Sequence, residues 1–258
     1  MARCGRFVFG ALILAIGAPF VLSQSAATAP AHSAVTPAPR SADWWTKRHE
    51  ALCERARAAD AALVFIGDSI TQGWETAGKD VWGRFYDQRG ACNLGISGDR
   101  TQHVLWRLDH GALDAWAPPA DVAATRPARQ APKLAVLMIG TNNSNGTDNT
   151  PGEIADGITA IVGQLRARLP GTRVLVLGIF PRGEKPNPQR EKNADASARV
   201  AKLADGKMVH YLDIGRKFLD PDGVLEKDIM PDLLHLSPRG YEIWAEAIEP
   251  TVKELLGE

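Results

Sequence analysis

The stretch Leu63-Val64-Phe65-Ile66-Gly67-Asp68-Ser69-Ile70-Thr71-Gln72-Gly73 decides the fold. Four apolar residues in a row, followed at once by glycine, an acid and serine, fit a short strand covered on both faces. Such strands belong to parallel sheets. Gly-Asp-Ser then leaves the strand at its carboxyl end, where open α/β sheets bind ligands. A helix beginning at Ser69 leaves the serine N–H free, facing any developing negative charge. That placement suits a nucleophile, although Gly-Asp-Ser is also ordinary turn and N-cap chemistry.

Three further segments decide between those readings. Asp232-Leu233-Leu234-His235-Leu236-Ser237-Pro238 puts a histidine and a carboxylate on one short loop. A serine nucleophile needs that pair, one to take its proton and one to fix the tautomer of the base. Pro238 suits the first turn of a following helix. Asn93-Leu94-Gly95-Ile96-Ser97-Gly98-Asp99 and Leu134-Ala135-Val136-Leu137-Met138-Ile139-Gly140-Thr141-Asn142-Asn143 each run from a strand into a loop. They offer a glycine N–H and an asparagine amide, the donors of an oxyanion hole.

Strand-like runs near 61–66, 91–94, 134–139, 173–179 and 208–212 alternate with helical ones near 44–58, 79–88, 101–109, 152–168, 188–204 and 239–256. The alternation predicts an α/β fold, a central parallel sheet of about five strands covered on both faces. The stretch 118–132 carries four prolines and no helical period, and reads as a surface insertion, slack rather than a lid.

Ser69, Gly98, Asn142 and His235, in that order and each after a strand-like run, resemble the SGNH (GDSL) hydrolase family. The likeness is nearest in the branch of platelet-activating factor acetylhydrolase catalytic subunits. Gly98 to Leu108, Gly140 to Asn143, the run Phe180-Pro181-Arg182-Gly183-Glu184-Lys185-Pro186-Asn187-Pro188 and the stretch Asp232 to Gly240 carry it. It extends over about 63–256. The resemblance implies a flavodoxin-like three-layer sandwich. It implies Ser69 as nucleophile, His235 as base and Asp232 as its orienter. The N–H groups of Ser69 and Gly98, with the Asn142 side chain, would form the oxyanion hole. The implied activity is hydrolysis of carboxylic esters with short acyl groups, acetyl foremost, without cofactor or metal. Its substrate would be a small ester, an acetylated glycan or a lipid. An O-acyltransferase acting on glycans and a lysophospholipase-type lipid esterase would use the same residues. A non-catalytic carbohydrate-binding module is disfavoured, because it would not need nucleophile and base together. The family includes dimers, which leaves a homodimer open.

The chain has 258 residues and a formal net charge of +0, with no basic cluster to hold nucleic acid. Two arginines precede an apolar stretch from Phe7 to Leu22 and a small-residue exit, the pattern of a signal peptide over 1–25. That predicts a secreted or periplasmic protein with no stable membrane insertion after cleavage. Residues 26–43, rich in Ala, Pro, Ser and Thr, read as a disordered tether, and 44–258 as the hydrolase domain. Cys53 and Cys92 remain after the signal and read as two separate buried thiols. Trp74, close behind the nucleophile, belongs either to the wall of the substrate pocket or to the core. Asp68 reads as a holder of loop backbone. Asp99 reads as a cap of the next helix or a brace at the rim of the pocket, and His103 as a packed, hydrogen-bonded side chain.

Overall fold

The computed structural model describes residues 1–2, 31–118 and 128–258. Residues 3–25 of the expected signal peptide therefore lie outside the described residues, as do 26–30 of the expected tether and most of the 118–132 insertion. The five strands are β1 (Leu63–Gly67), β2 (Cys92–Asn93), β3 (Leu134–Met138), β4 (Arg173–Leu177) and β5 (Val209–Leu212). All pair in parallel, in the order β2-β1-β3-β4-β5. This is the doubly wound order in which the chain reverses direction across the sheet between β1 and β3.

The strands sort their side chains with period two into two cores. Val64 and Ile66, Ala135 and Leu137, and Val174 and Val176 enter one. Leu63 and Phe65, Leu134 and Val136, and Leu175 and Leu177 enter the other. Helices cover the first face: α1 (Asp43–Ala58), α4 (Thr101–Arg107), α5 (Pro151–Arg168) and α6 (Pro188–Val200). The second lies under α3 (Lys79–Phe85) and α7 (Pro238–Leu256). The short α2 (Ser69–Gln72) leaves β1 directly. Starts follow sequence chemistry: Thr150 and Glu153 form a capping box ahead of Pro151, and Ser237 caps α7 ahead of Pro238.

One expectation changes. The described part of the expected tether is ordered: 33–35 form a 3-10 turn and Ala34 is fully buried. Its backbone holds it, with Thr101 Oγ1 donating to Ala34 O (2.7 Å) and Ala38 N to Gln102 O (3.2 Å). Composition suggested disorder because these partners are distant in sequence. Trp74 is core, 1% exposed, with ring centroids 4.5 Å from Tyr241 and 4.9 Å from Trp244. That is one of the two readings the sequence left open, and the ring also borders a cleft of about 780 Å³ shared with Arg55, Glu75, Trp82 and Asn93. The described end of the insertion sits at the amino ends of the strands, where Lys133 N donates to Ala62 O (2.8 Å) and Arg129 N to Ala115 O (2.8 Å). Cys53 and Cys92 are free and buried, and burial pushes both thiols up to about 11. No helix among the described residues is long and apolar enough to cross a membrane.

Candidate active site

β1 delivers Ser69 to the carboxyl edge of the sheet. Gly67 is required there: a Cβ would sit 2.1 Å from Thr71 Oγ1 and 2.3 Å from Met138 O. The turn that follows is held by Asp68, whose Oδ1 accepts from Ile70 N (3.0 Å). Ser69 heads α2, so its N–H has no acceptor within that helix. Tyr241 ties the short helix to α7 by donating to Ile70 O (2.7 Å).

The loop before α7 brings His235 to Ser69. His235 Nε2 lies 2.9 Å from Ser69 Oγ, placed to accept the hydroxyl proton. Its Nδ1 lies 2.6 Å from Asp232 Oδ2, and Asp232 Oδ1 accepts from His235 N (2.7 Å) and Leu234 N (3.1 Å). Burial raises the Asp232 carboxyl. The His235 ring and these backbone donors outweigh it and hold the group below its ordinary value. The carboxylate is thus ionised wherever the imidazole needs orienting. The turn is tight enough to put Leu233 at φ 61°, left-handed for a leucine.

That turn is clamped from outside by the 180–188 stretch, whose structural role the sequence did not disclose. Gly183 N donates to Leu233 O (2.8 Å), and Leu225 N to Glu184 O (2.8 Å). Arg190 bonds the carbonyls of Arg182 and Gly183. Asn187 Oδ1 accepts from Gln189 N (3.1 Å) and Arg190 N (3.0 Å), starting α6. Arg182, Asn187, Gln189, Asp232 and Leu234 line a polar cleft of about 360 Å³ beside the loop.

Gly98 and Asn142 come from the loops after β2 and β3. Gly98 has φ 75°, and the space a Cβ would need is occupied by the Arg40 guanidinium. Asn142 Nδ2 donates to Asp99 O (2.9 Å), which leaves its second N–H for a ligand. The two loops are locked together by Asn143, fully buried. Its Oδ1 accepts from Thr101 N (3.0 Å) and its Nδ2 reaches Gln102 and Asn149.

Asp99 is fully buried and does not cap α4, whose N-cap is Arg100. Its carboxylate pairs with Arg107 Nε (2.8 Å) and accepts from Trp45 Nε1 (2.6 Å). Arg107, 1% exposed, also donates to Leu94 O (2.9 Å), so the pair braces the loop carrying Gly98. Arg107 was not anticipated. The helical stripe of Val104, Leu105 and Leu108 places it on the buried face, and a buried guanidinium demands a carboxylate. His103 is packed as expected: Nδ1 accepts from Arg100 N (3.0 Å) and burial lowers its pKa to about 4, keeping it neutral.

Asp68 is the remaining titratable group. It is fully buried, its Oδ2 has no partner, and burial pushes the carboxyl up to about 7. The described residues contain no His, Cys, Asp and Glu cluster able to hold a metal ion.

A model of the GDSL-like lipase/acylhydrolase family matches residues 65–243. The chain is 36% identical over 215 residues to human platelet-activating factor acetylhydrolase IB subunit alpha1, covering 83% of this chain and 85% of that one. It is 35% identical over 220 residues to the rat alpha2 subunit, covering 84% and 86%. A GDSL-like lipase from Bacteroides thetaiotaomicron shares the fold, with a TM-score of 0.62 at 19% identity over 80% of this chain and 97% of that one.

Proposed function

The chain belongs to the GDSL-like lipase/acylhydrolase family and is a carboxylic ester hydrolase, and from that premise we propose that it removes short acyl groups, acetyl foremost, through an acyl-enzyme on Ser69. The observation that carries the proposal is the continuous line from Asp232 Oδ2 through His235 to Ser69 Oγ, with links of 2.6 Å and 2.9 Å. His235 takes the hydroxyl proton as Ser69 attacks the ester carbonyl, and Asp232 stabilises the imidazolium. The tetrahedral oxyanion is met by the N–H groups of Ser69 and Gly98 and by Asn142 Nδ2. His235 then protonates the departing alcohol, and the acyl-enzyme is cleared by a water that His235 activates. No step calls for a metal or cofactor.

The short-acyl preference is supported by the name acetylhydrolase borne by relatives that match most of their length. We further propose that the protein is exported, on the amino-terminal charge-then-apolar pattern. Its substrates then include acetylated glycans outside the cytoplasm. The test is hydrolysis of p-nitrophenyl esters of increasing acyl length by the protein and by Ser69→Ala. The expected result is strong turnover of the acetate, a steep fall with length, and loss in Ser69→Ala. Equal rates on long chains would overturn the acyl preference. No Ser69-dependent release at any length would overturn hydrolysis.

A further inference from the structure

The loop leaving β2 spends its carbonyls on arginines. Asn93 O accepts from Arg55 (3.3 Å), Leu94 O from Arg107 (2.9 Å), Gly95 O from Arg48 Nη2 (2.9 Å) and Ser97 O from Arg40 Nη1 (2.8 Å). Its N–H groups are also spoken for. Leu94 N donates to Phe65 O, Gly95 N to Asn93 Oδ1, Ile96 N to Gly67 O, Ser97 N to Gln72 Oε1 and Asp99 N to Ile96 O. Over 94–99, the Gly98 N–H alone finds no acceptor.

Arg40 differs from the other three cations. Arg48 and Arg55 pair with Glu75, and Arg107 pairs with Asp99. No carboxylate among the described residues lies within ion-pair distance of Arg40. It is half-buried, lies over the Trp44 ring at 5.1 Å, and belongs to the ordered 31–42 segment. The carbonyl it grips shares a planar peptide unit with the Gly98 N–H. A cation bonded to that oxygen fixes the plane, and hence the direction of the N–H. It also draws electron density toward the oxygen, which makes the N–H a stronger donor.

We propose that Arg40 is a positioning residue of the oxyanion hole, aiming and polarising the Gly98 N–H through the Ser97 carbonyl. This rests on the Ser69 and Gly98 roles given above. Arg40 touches neither substrate nor reacting atoms, so its effect belongs to the transition state and falls on kcat rather than KM. The segment carrying Arg40 stays docked without it, through Ala34, Ala38 and the bond from Asn149 to Ser33 Oγ (3.1 Å).

The experiment compares Ser69→Ala, Arg40→Ala, Arg40→Gln and Arg40→Lys in the purified full-length protein on p-nitrophenyl acetate. An alkyl boronic acid serves as the tetrahedral analogue. Outright removal of an oxyanion donor costs about 100–1000-fold, so weakening one predicts a kcat about tenfold lower in Arg40→Ala with KM within about twofold. Affinity for the boronic acid falls by the same factor, the melting temperature is kept, and Arg40→Lys recovers more of the loss than Arg40→Gln. Unchanged kcat, or a loss in which the boronic acid binds as before, overturns the proposal. So does a loss that Arg40→Lys does not relieve. Should Arg40→Ala fail to fold, the order of Arg40→Lys above Arg40→Gln in kcat and boronic-acid affinity decides. Turnover that survives Ser69→Ala overturns the underlying reading instead, and the role of Arg40 with it.

Discussion

Asn142 shows how much one side chain is asked to do. One N–H of its amide is used on Asp99 O, and the other is the donor assigned to the oxyanion. Replacing it with alanine removes that donor without touching Ser69 or His235. Asn142→Ala is expected to lower kcat by roughly 100–1000-fold, about 2.7–4 kcal/mol, with the fold intact. Near-normal kcat in folded protein would remove Asn142 from the site. Asp68 makes a second prediction. Its carboxyl is raised in the folded state, so the native protein holds that proton where the unfolded chain has released it. Asp68 therefore costs no stability below about pH 4, and stability falls as pH rises toward about 7. Asp68→Asn keeps the acceptor for Ile70 N and cannot ionise. Urea unfolding across pH 4–8 should show a shallower decline in the variant than in the parent. Parallel declines would contradict the assignment. From the sequence, Asp68 was visible as a turn holder, but its burial depends on helices that pack over it.

The elements divide into those the sequence announces and those it hides. β1, β3 and β4 are apolar runs set at strand length, and α5, α6 and α7 begin at capping residues, so their bounds were legible to within a residue or two, except the end of α6, expected at 204 and found at Val200. β2 is only Cys92–Asn93, and it was legible mainly because the glycine-bearing loop follows it. What escaped was the bracing. The Asp99–Arg107 pair, the Asn143 network and the grip of 180–188 on the Asp232 turn are contacts between distant segments, which local pattern cannot rank. Arg107 is the most exposed to test. Arg107→Ala strands a fully buried Asp99 carboxylate, and loss of one partner of such a pair costs about 3–5 kcal/mol. Chemical denaturation should show that loss. A change below about 1 kcal/mol would mean that the loop is held without the pair.

At the scale of the molecule, the fold positions the site by topology. Ser69, Gly98 and Asn142 leave three neighbouring strands at the point where strand order reverses, and His235 arrives from the loop before the last helix. That arrangement was legible because each residue sits directly after or before a recognisable element. The amino-terminal segment was not, since its alanines and prolines lack any period and its bonds with the Thr101 hydroxyl, the Gln102 carbonyl and the Asn149 amide each span more than sixty residues. If the chain is exported, sequencing of the mature protein should find its first residue between about 26 and 30, leaving Arg40 attached. A mature start beyond Arg40, or no cleavage, would contradict this.

The central claim is that Ser69 carries the acyl group. Reaction with a fluorophosphonate, followed by peptide mass spectrometry, tests it most directly. The account predicts stoichiometric loss of activity, one adduct on the peptide containing Ser69, and no adduct in Ser69→Ala. Full turnover of ester in unlabelled protein after exposure, or an adduct on another residue that abolishes activity, would contradict it.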